Sequence, residues 1–134
     1  MPRVEKPAVT QEEKDAVKAH VNKYVESLLK PDIETMKTCF FDKGTIFVNT
    51  GDAVVGGHIQ ALYDIMERDG GLPKLEWTIN VLAVTGNTAV AQVLLYQDEP
   101  IYEVTDLLSL MKLPDGNWTI VNKVPEMYQY FKQV

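Results

Sequence analysis

The chain has 134 residues, 46% hydrophobic and 24% charged, which is one domain's length of globular protein and excludes a disordered or low-complexity segment. Thirteen Lys and Arg against nineteen Asp and Glu leave a net charge of −6, which argues against a nucleic-acid partner or an anionic membrane surface. The single Cys39 cannot form an internal disulfide, and no run approaches the ~20 apolar residues a bilayer span needs. The start, Met1-Pro2-Arg3-Val4-Glu5-Lys6-Pro7, is polar and carries no secretion signal, so a cytoplasmic setting is expected, with residues 1–9 as a flexible segment before one domain over 1–134.

Thr10-Gln11-Glu12-Glu13 has the spacing of a capping box, with Thr10 as N-cap. Val17, Val21, Tyr24, Val25 and Leu28 then recur at helical intervals, which predicts a long amphipathic helix stopped by Pro31. Asp32 caps a second, shorter helix carrying Ile33, Met36, Cys39 and Phe40. Gly44 to Thr50 is rich in β-branched and aromatic residues and reads as a strand, turning at Gly51-Asp52 into a short return strand from Asp52 to Gly56. Ile59, Leu62, Tyr63 and Met66 mark a third helix ending at Gly70-Gly71.

The second half is strand. Leu75 to Thr85, Thr88 to Gln97, Tyr102 to Leu113 and Trp118 to Val124 are separated by Gly86-Asn87 and Pro114-Asp115-Gly116-Asn117, both hairpin chemistry. The order α-α-β-β-α-β-β-β-β predicts an α+β fold with helices on one side of an antiparallel sheet. Two of the strands are apolar on both faces: Leu108 and Leu110 alternate with Leu107 and Met111, and the run Ala89 to Tyr96 behaves alike. Three helices cover one face only, so a homodimer through the outer face is expected.

This order, with a strongly bent sheet wrapping a helical hairpin and a third helix, resembles the cone-shaped nuclear transport factor 2-like fold. The closing hairpin, Tyr102-Glu103-Val104-Thr105-Asp106-Leu107 through Asp115-Gly116-Asn117-Trp118-Thr119-Ile120-Val121-Asn122-Lys123, is similar to that of the putative lumazine-binding branch. The resemblance implies an apolar cavity between helices and sheet. Its relatives include the SnoaL-like polyketide cyclases, ketosteroid isomerase, scytalone dehydratase and limonene epoxide hydrolase, which work on hydrophobic small molecules without a redox cofactor. Other relatives only bind or dimerise, and fold does not decide between them.

Asp106 interrupts an otherwise apolar strand, which suits a general acid or base; it equally suits an ion pair, because an even-length turn with Leu113 opposite Trp118 brings Lys123 within diagonal reach. His20 and Tyr24, four residues apart on one helix face, are candidates to orient or polarise a substrate oxygen, against the blander reading of an edge histidine and a packed tyrosine. Trp77, Tyr96, Tyr63 and Met66 are candidates to line a pocket, with His58 and the motif's Asn122 as further ligand contacts; core packing, or a cap for His58, is the alternative for each. No His-x₃-His, His-x-Glu or Cys-x₂-Cys spacing points to a metal, and no nucleophile elbow, Walker or dinucleotide motif is present. The expected activity is therefore a cofactor-independent isomerase, cyclase or dehydratase acting on a hydrophobic small molecule, the alternative a non-catalytic binding or dimerisation module. The tail Tyr128-Gln129-Tyr130-Phe131 is expected to be ordered, over a cavity mouth or on a partner.

Overall fold

The computed structural model describes residues 2–130. Residues 2–9 carry no secondary structure and are exposed. Helix α1 (Gln11–Leu29) starts as its capping pattern requires, the Thr10 side chain accepting from the Glu13 amide at 3.1 Å. Its stripe of Val17, Val21, Tyr24, Val25 and Leu28 is buried, at 2% exposure or less. Asp32 caps α2 (Ile33–Cys39) by accepting from the Thr35 amide at 3.1 Å.

Phe40 does not continue α2. It opens β1 (Phe40–Asn49), because the aromatic pair Phe40-Phe41 prefers the pleated conformation and Phe40 finds a strand partner opposite Ile120. Strand β2 (Val54–His58) returns antiparallel to β1, α3 (Gln60–Asp69) follows, and β3 (Glu76–Thr85) and β4 (Thr88–Gln97) form the next hairpin. Gly86, at φ 56°, takes the first central position of that two-residue turn, where a positive φ matches the twist of the flanking strands. Strand β5 (Tyr102–Lys112) and β6 (Trp118–Tyr130) close the chain.

The strands form one six-stranded sheet in the order β2-β1-β6-β5-β4-β3. All neighbours are antiparallel except β1 and β6, which run parallel. A hairpin forces antiparallel pairing, and no hairpin joins these two, so the expected antiparallel sheet acquires one parallel seam. Strand β6 also runs past Val124, where Pro125 suggests an end. Beyond Lys123 it has no β1 partner on that side, so Pro125 removes an amide from an open edge and costs no ladder bond there. The described tail thus continues as strand to Tyr130; the expectation for Phe131 lies outside the described residues.

Extra residues at Leu82 of β3 and Val121 of β6 shift the registers and bend the sheet over the helices. Helix α1 lies across the inner face and is tied there by three side-chain links: Lys112 Nζ to Glu13 Oε1 at 2.6 Å, Trp77 Nε1 to Asn22 Oδ1 at 2.9 Å, and Tyr24 to Asp106. Among the described residues no helix covers the outer face. Leu94, Leu107 and Val124 stand there 43%, 46% and 44% exposed, whereas Leu108 and Leu110 of the inner face are buried.

Candidate active site

Strand alternation puts Asp106 on the inner face of β5 with Val104 and Leu108, under α1. Asp106 is fully buried, and Lys123 beside it is 4% exposed. Lys123 Nζ donates to Asp106 Oδ1 at 2.6 Å, and the Tyr24 hydroxyl donates to Oδ2 at 3.1 Å. The same ammonium stands 5.8 Å from the centre of the Tyr24 ring, which Phe40 fixes edge-on at 5.1 Å. One ammonium and one phenol therefore hold the two oxygens of a single buried carboxylate.

Asp106 faces Pro125 across the strand pair and Lys123 faces Leu108, so the ion pair is diagonal. An even-length turn with Leu113 opposite Trp118 leads to the same geometry, but the chain reaches it differently. The loop has three residues: the Leu113 amide donates to the Asn117 carbonyl, Gly116 sits at φ 91°, and Trp118 pairs with Lys112. The extra residue at Val121 then returns the register by one, so the two departures cancel at Asp106.

Tyr102 enters the same environment from four residues earlier on the same strand face. Burial, and then the Asp106 charge, push its hydroxyl far above the ordinary phenol value. Burial first and Asp106 second do the same to Tyr24. Both phenols consequently stay protonated and keep an O–H to donate. Tyr102 is absent from the sequence candidates, although the alternation Tyr102-x-Val104-x-Asp106 contains the signal.

His20 does not share this space. Its Nε2 donates to the Cys39 carbonyl at 2.9 Å, closing the α1–α2 hairpin, because the helix turn before Tyr24 faces α2 and not β5. Burial, followed by the charge of Lys23, lowers the imidazole below its ordinary 6.5 against the opposing pull of that hydrogen bond. Folding thus selects the neutral ring. Its contribution to stability is complete above 6.5 and is lost as pH falls through the lower folded value. Urea denaturation between pH about 8 and about 5 should show that loss, and His20→Gln, whose amide can donate to the same carbonyl, should flatten it.

The expected pocket residues disperse. Tyr63 and Met66 are core, 5% and 7% exposed, with Tyr63 edge-on to Phe40. Trp77 is spent on Asn22. His58 does cap-like work: the Gln60 amide donates to its Nδ1 and its Nε2 donates to the Asp42 carbonyl at 2.6 Å. Asn122 pairs with Ser109 and donates to Thr45 Oγ1 at 2.9 Å on the outer face, one residue out of phase with the inward Lys123. Tyr96 is on the outer face too, where Glu76, Thr78, Leu94, Glu103 and Thr105 join it around a groove of about 350 Å³. Of the nine candidates, Asp106 and Tyr24 meet by a hydrogen bond, in a packed cluster where an open hollow is expected, while Trp77 and Tyr96 both border that groove.

Among the described residues no group of three His, Cys, Asp or Glu is placed to hold a metal ion, and no helix is long and apolar enough to cross a membrane.

The model of a family described as putative lumazine-binding matches residues 12–126. The chain is 31% identical over 120 residues to a protein of a Cladobotryum species named aldolase FrzH, covering 90% of this chain and 95% of that one. A crystal structure of a nuclear transport factor 2-like protein of unknown function from Shewanella baltica superposes with a TM-score of 0.82 at 26% identity, over 92% of this chain and 100% of the other. A ketosteroid isomerase-like protein from Erwinia carotovora atroseptica shares the fold with a TM-score of 0.75 at 15% identity, over 90% and 100%.

Proposed function

We propose, for a chain that belongs to the putative lumazine-binding family of nuclear transport factor 2-like proteins, an acid–base enzyme that removes a proton next to the carbonyl of a largely apolar substrate. The observation that carries this reading is the unequal hold on one buried carboxylate: Lys123 grips Oδ1 at 2.6 Å, while Tyr24 touches Oδ2 at 3.1 Å. Oδ2 is the oxygen that a substrate can free. When the Tyr24 hydroxyl turns to the substrate carbonyl, Oδ2 accepts the α-proton, the C–H electron pair becomes the enolate, and the phenol donates to the new oxyanion. Lys123 holds the carboxylate in place through Oδ1.

The enolate carbon then attacks a second carbonyl to form a C–C bond, and the resulting alkoxide takes the proton back from Asp106. That outcome is an aldol addition, in keeping with the name aldolase borne by the 31% identical relative; return of the proton to a different carbon is an isomerisation. Because Asp106 is fully buried, substrate reaches it only by displacing side chains above the cluster. The outer face serves a separate purpose in this reading. Leu94, Leu107 and Val124 seat a second copy of the chain, which makes the protein a homodimer.

Proton abstraction is measurable without the natural substrate. The wild-type protein should catalyse deuterium uptake from D₂O at the α-carbon of the apolar ketone prodan, followed by NMR. Asp106→Asn should slow it by at least about 100-fold, the usual worth of a positioned base. The double variant Asp106→Asn/Lys123→Met, which leaves no buried charge, separates lost chemistry from lost fold. Uptake at the wild-type rate in both variants would sink the proposal.

A further inference from the structure

The outer groove of about 350 Å³ lies at one end of β3, β4 and β5. Register makes its floor one row across three strands: Glu76 faces Tyr96, and Tyr96 faces Glu103. Neighbouring strands lie about 4.8 Å apart, so the two carboxylates stand about 10 Å apart with the Tyr96 ring between them. That ring is 39% exposed, and its hydroxyl donates to Asp98 Oδ1 at 3.4 Å. Glu103 accepts from Gln129 Nε2 at 2.9 Å on one oxygen. An acid, an aromatic ring and a second acid in one row suit two cations at a fixed spacing, with an apolar contact between them.

The chain carries a segment of that chemistry. Residues 2–9 are exposed, Val4 by 82%. Pro2, Pro7 and the restriction that Pro7 places on Lys6 favour polyproline II, with three residues per turn. Arg3 and Lys6 then project from one side, about 9 Å apart at a rise of ~3.1 Å per residue. Val4 and Pro7 share the next side, and Glu5 falls on the third, away from the glutamates. We propose that residues 3–7 of one copy seat in the outer groove of a second copy, with Arg3 and Lys6 on Glu76 and Glu103, and Val4 and Pro7 against Tyr96. The inference rests on the outer-face dimer proposed above and not on the acid–base chemistry. A chain cannot fill its own groove. Glu13 is tied to Lys112 at one end of β5, whereas Glu103 lies nine residues away, about 30 Å, and faces away from α1. Lys6 is five residues from the start of α1, a span of at most about 18 Å. A two-fold axis crossing β5 at Leu107, in the apolar patch, sets Glu103 of one copy over Met111 of the other, since each lies four residues from it. The start of one α1 thereby comes to the other copy's groove.

Sedimentation equilibrium of the full chain tests this. Arg3→Glu/Lys6→Glu should weaken the dimer about 10- to 100-fold, the usual worth of two exposed ion pairs on each of two arms. This variant is altered only ahead of α1, so its fold is not at stake. Glu76→Lys/Glu103→Lys should weaken the dimer alike, although it brings the net charge of −6 nearer zero, a change that by itself favours association. Mixing the two variants should restore the wild-type constant, because in the mixed dimer each arm meets a groove of opposite sign. A dimer that the arm variant leaves unchanged, a groove variant as tight as wild type, or a mixture that stays dissociated would each overturn the inference. A wild type that is monomeric at micromolar concentration sinks the outer-face dimer and this inference together, and deuterium uptake by prodan, which reads the inner face, is untouched by either result.

Discussion

Lys123→Met is expected to lower the stability of the protein by about 3–5 kcal/mol, the usual cost of removing one partner from a buried ion pair. The side chain is 5% exposed and its Asp106 partner 0%, so solvent offers little screening. Without the ammonium, the carboxylate keeps only the Tyr24 hydroxyl, on Oδ2, and nothing on Oδ1. Asp106→Leu should cost a similar amount by stranding the lysine. The double variant Asp106→Leu/Lys123→Met should recover most of the loss, because an apolar pair of similar volume often matches or exceeds a buried ion pair. Urea denaturation of the four proteins gives the coupling directly. A single-variant loss below about 1 kcal/mol would show that the pair is solvated in solution and behaves like a surface bridge.

The same cycle bears on function. If the apolar double variant is as stable as the natural chain, stability does not account for the charges, and their presence at the centre of the core needs another reason. The proposed chemistry supplies one: the double variant should be folded and unable to exchange the α-hydrogens of prodan. Function commonly retains groups that stability alone would discard.

Most of the architecture is legible in the sequence because it rests on local rules. The Thr10 and Asp32 caps, the valine and leucine stripe of α1 and the Gly86 turn each declare themselves within a few residues, and the structure places each where its chemistry requires. The parallel β1–β6 seam is not legible, since it joins the middle of the chain to its end and no local pattern encodes that meeting. Phe40 is ambiguous for a related reason: it fits the apolar spacing of α2, and only its partner Ile120 makes it strand.

The site divides along the same line. Tyr24 and Asp106 lie on faces fixed by helical and strand periodicity, so their convergence follows once helix packs on sheet. Their partner Lys123 depends on register, which one loop length and one bulge set together. Periodicity alone leaves open which neighbour satisfies a polar side chain. His20 has a helix position as favourable as Tyr24, yet the carbonyl of Cys39 claims it. Asn122 and Tyr96 stand apart from the Asp106 cluster through phase: each is one residue from an inward neighbour, Lys123 and Leu95, so pleating turns them outward.

Leu94→Glu/Leu107→Glu is expected to convert a dimer into a monomer at micromolar concentration, read by sedimentation equilibrium. Leu107 pairs directly with Val124, and Leu94 stands diagonal to it across the β4–β5 ladder, so the three form one apolar patch at the centre of the sheet. Fully covering an exposed leucine is worth about 1.5–3 kcal/mol, and Leu94 and Leu107, 43% and 46% exposed, have roughly half of that left to gain. In a two-fold interface each substitution occurs twice and also sets carboxylates against an apolar partner surface, which is enough to weaken association by at least about 1000-fold. Both side chains are exposed in the single chain, so the monomer should keep its melting temperature and its Asp106–Lys123 pair. Deuterium exchange at the ketone then separates the two faces of the sheet: a monomer that retains it assigns the outer face to assembly alone, whereas a monomeric wild type would leave the patch without the partner argued for it.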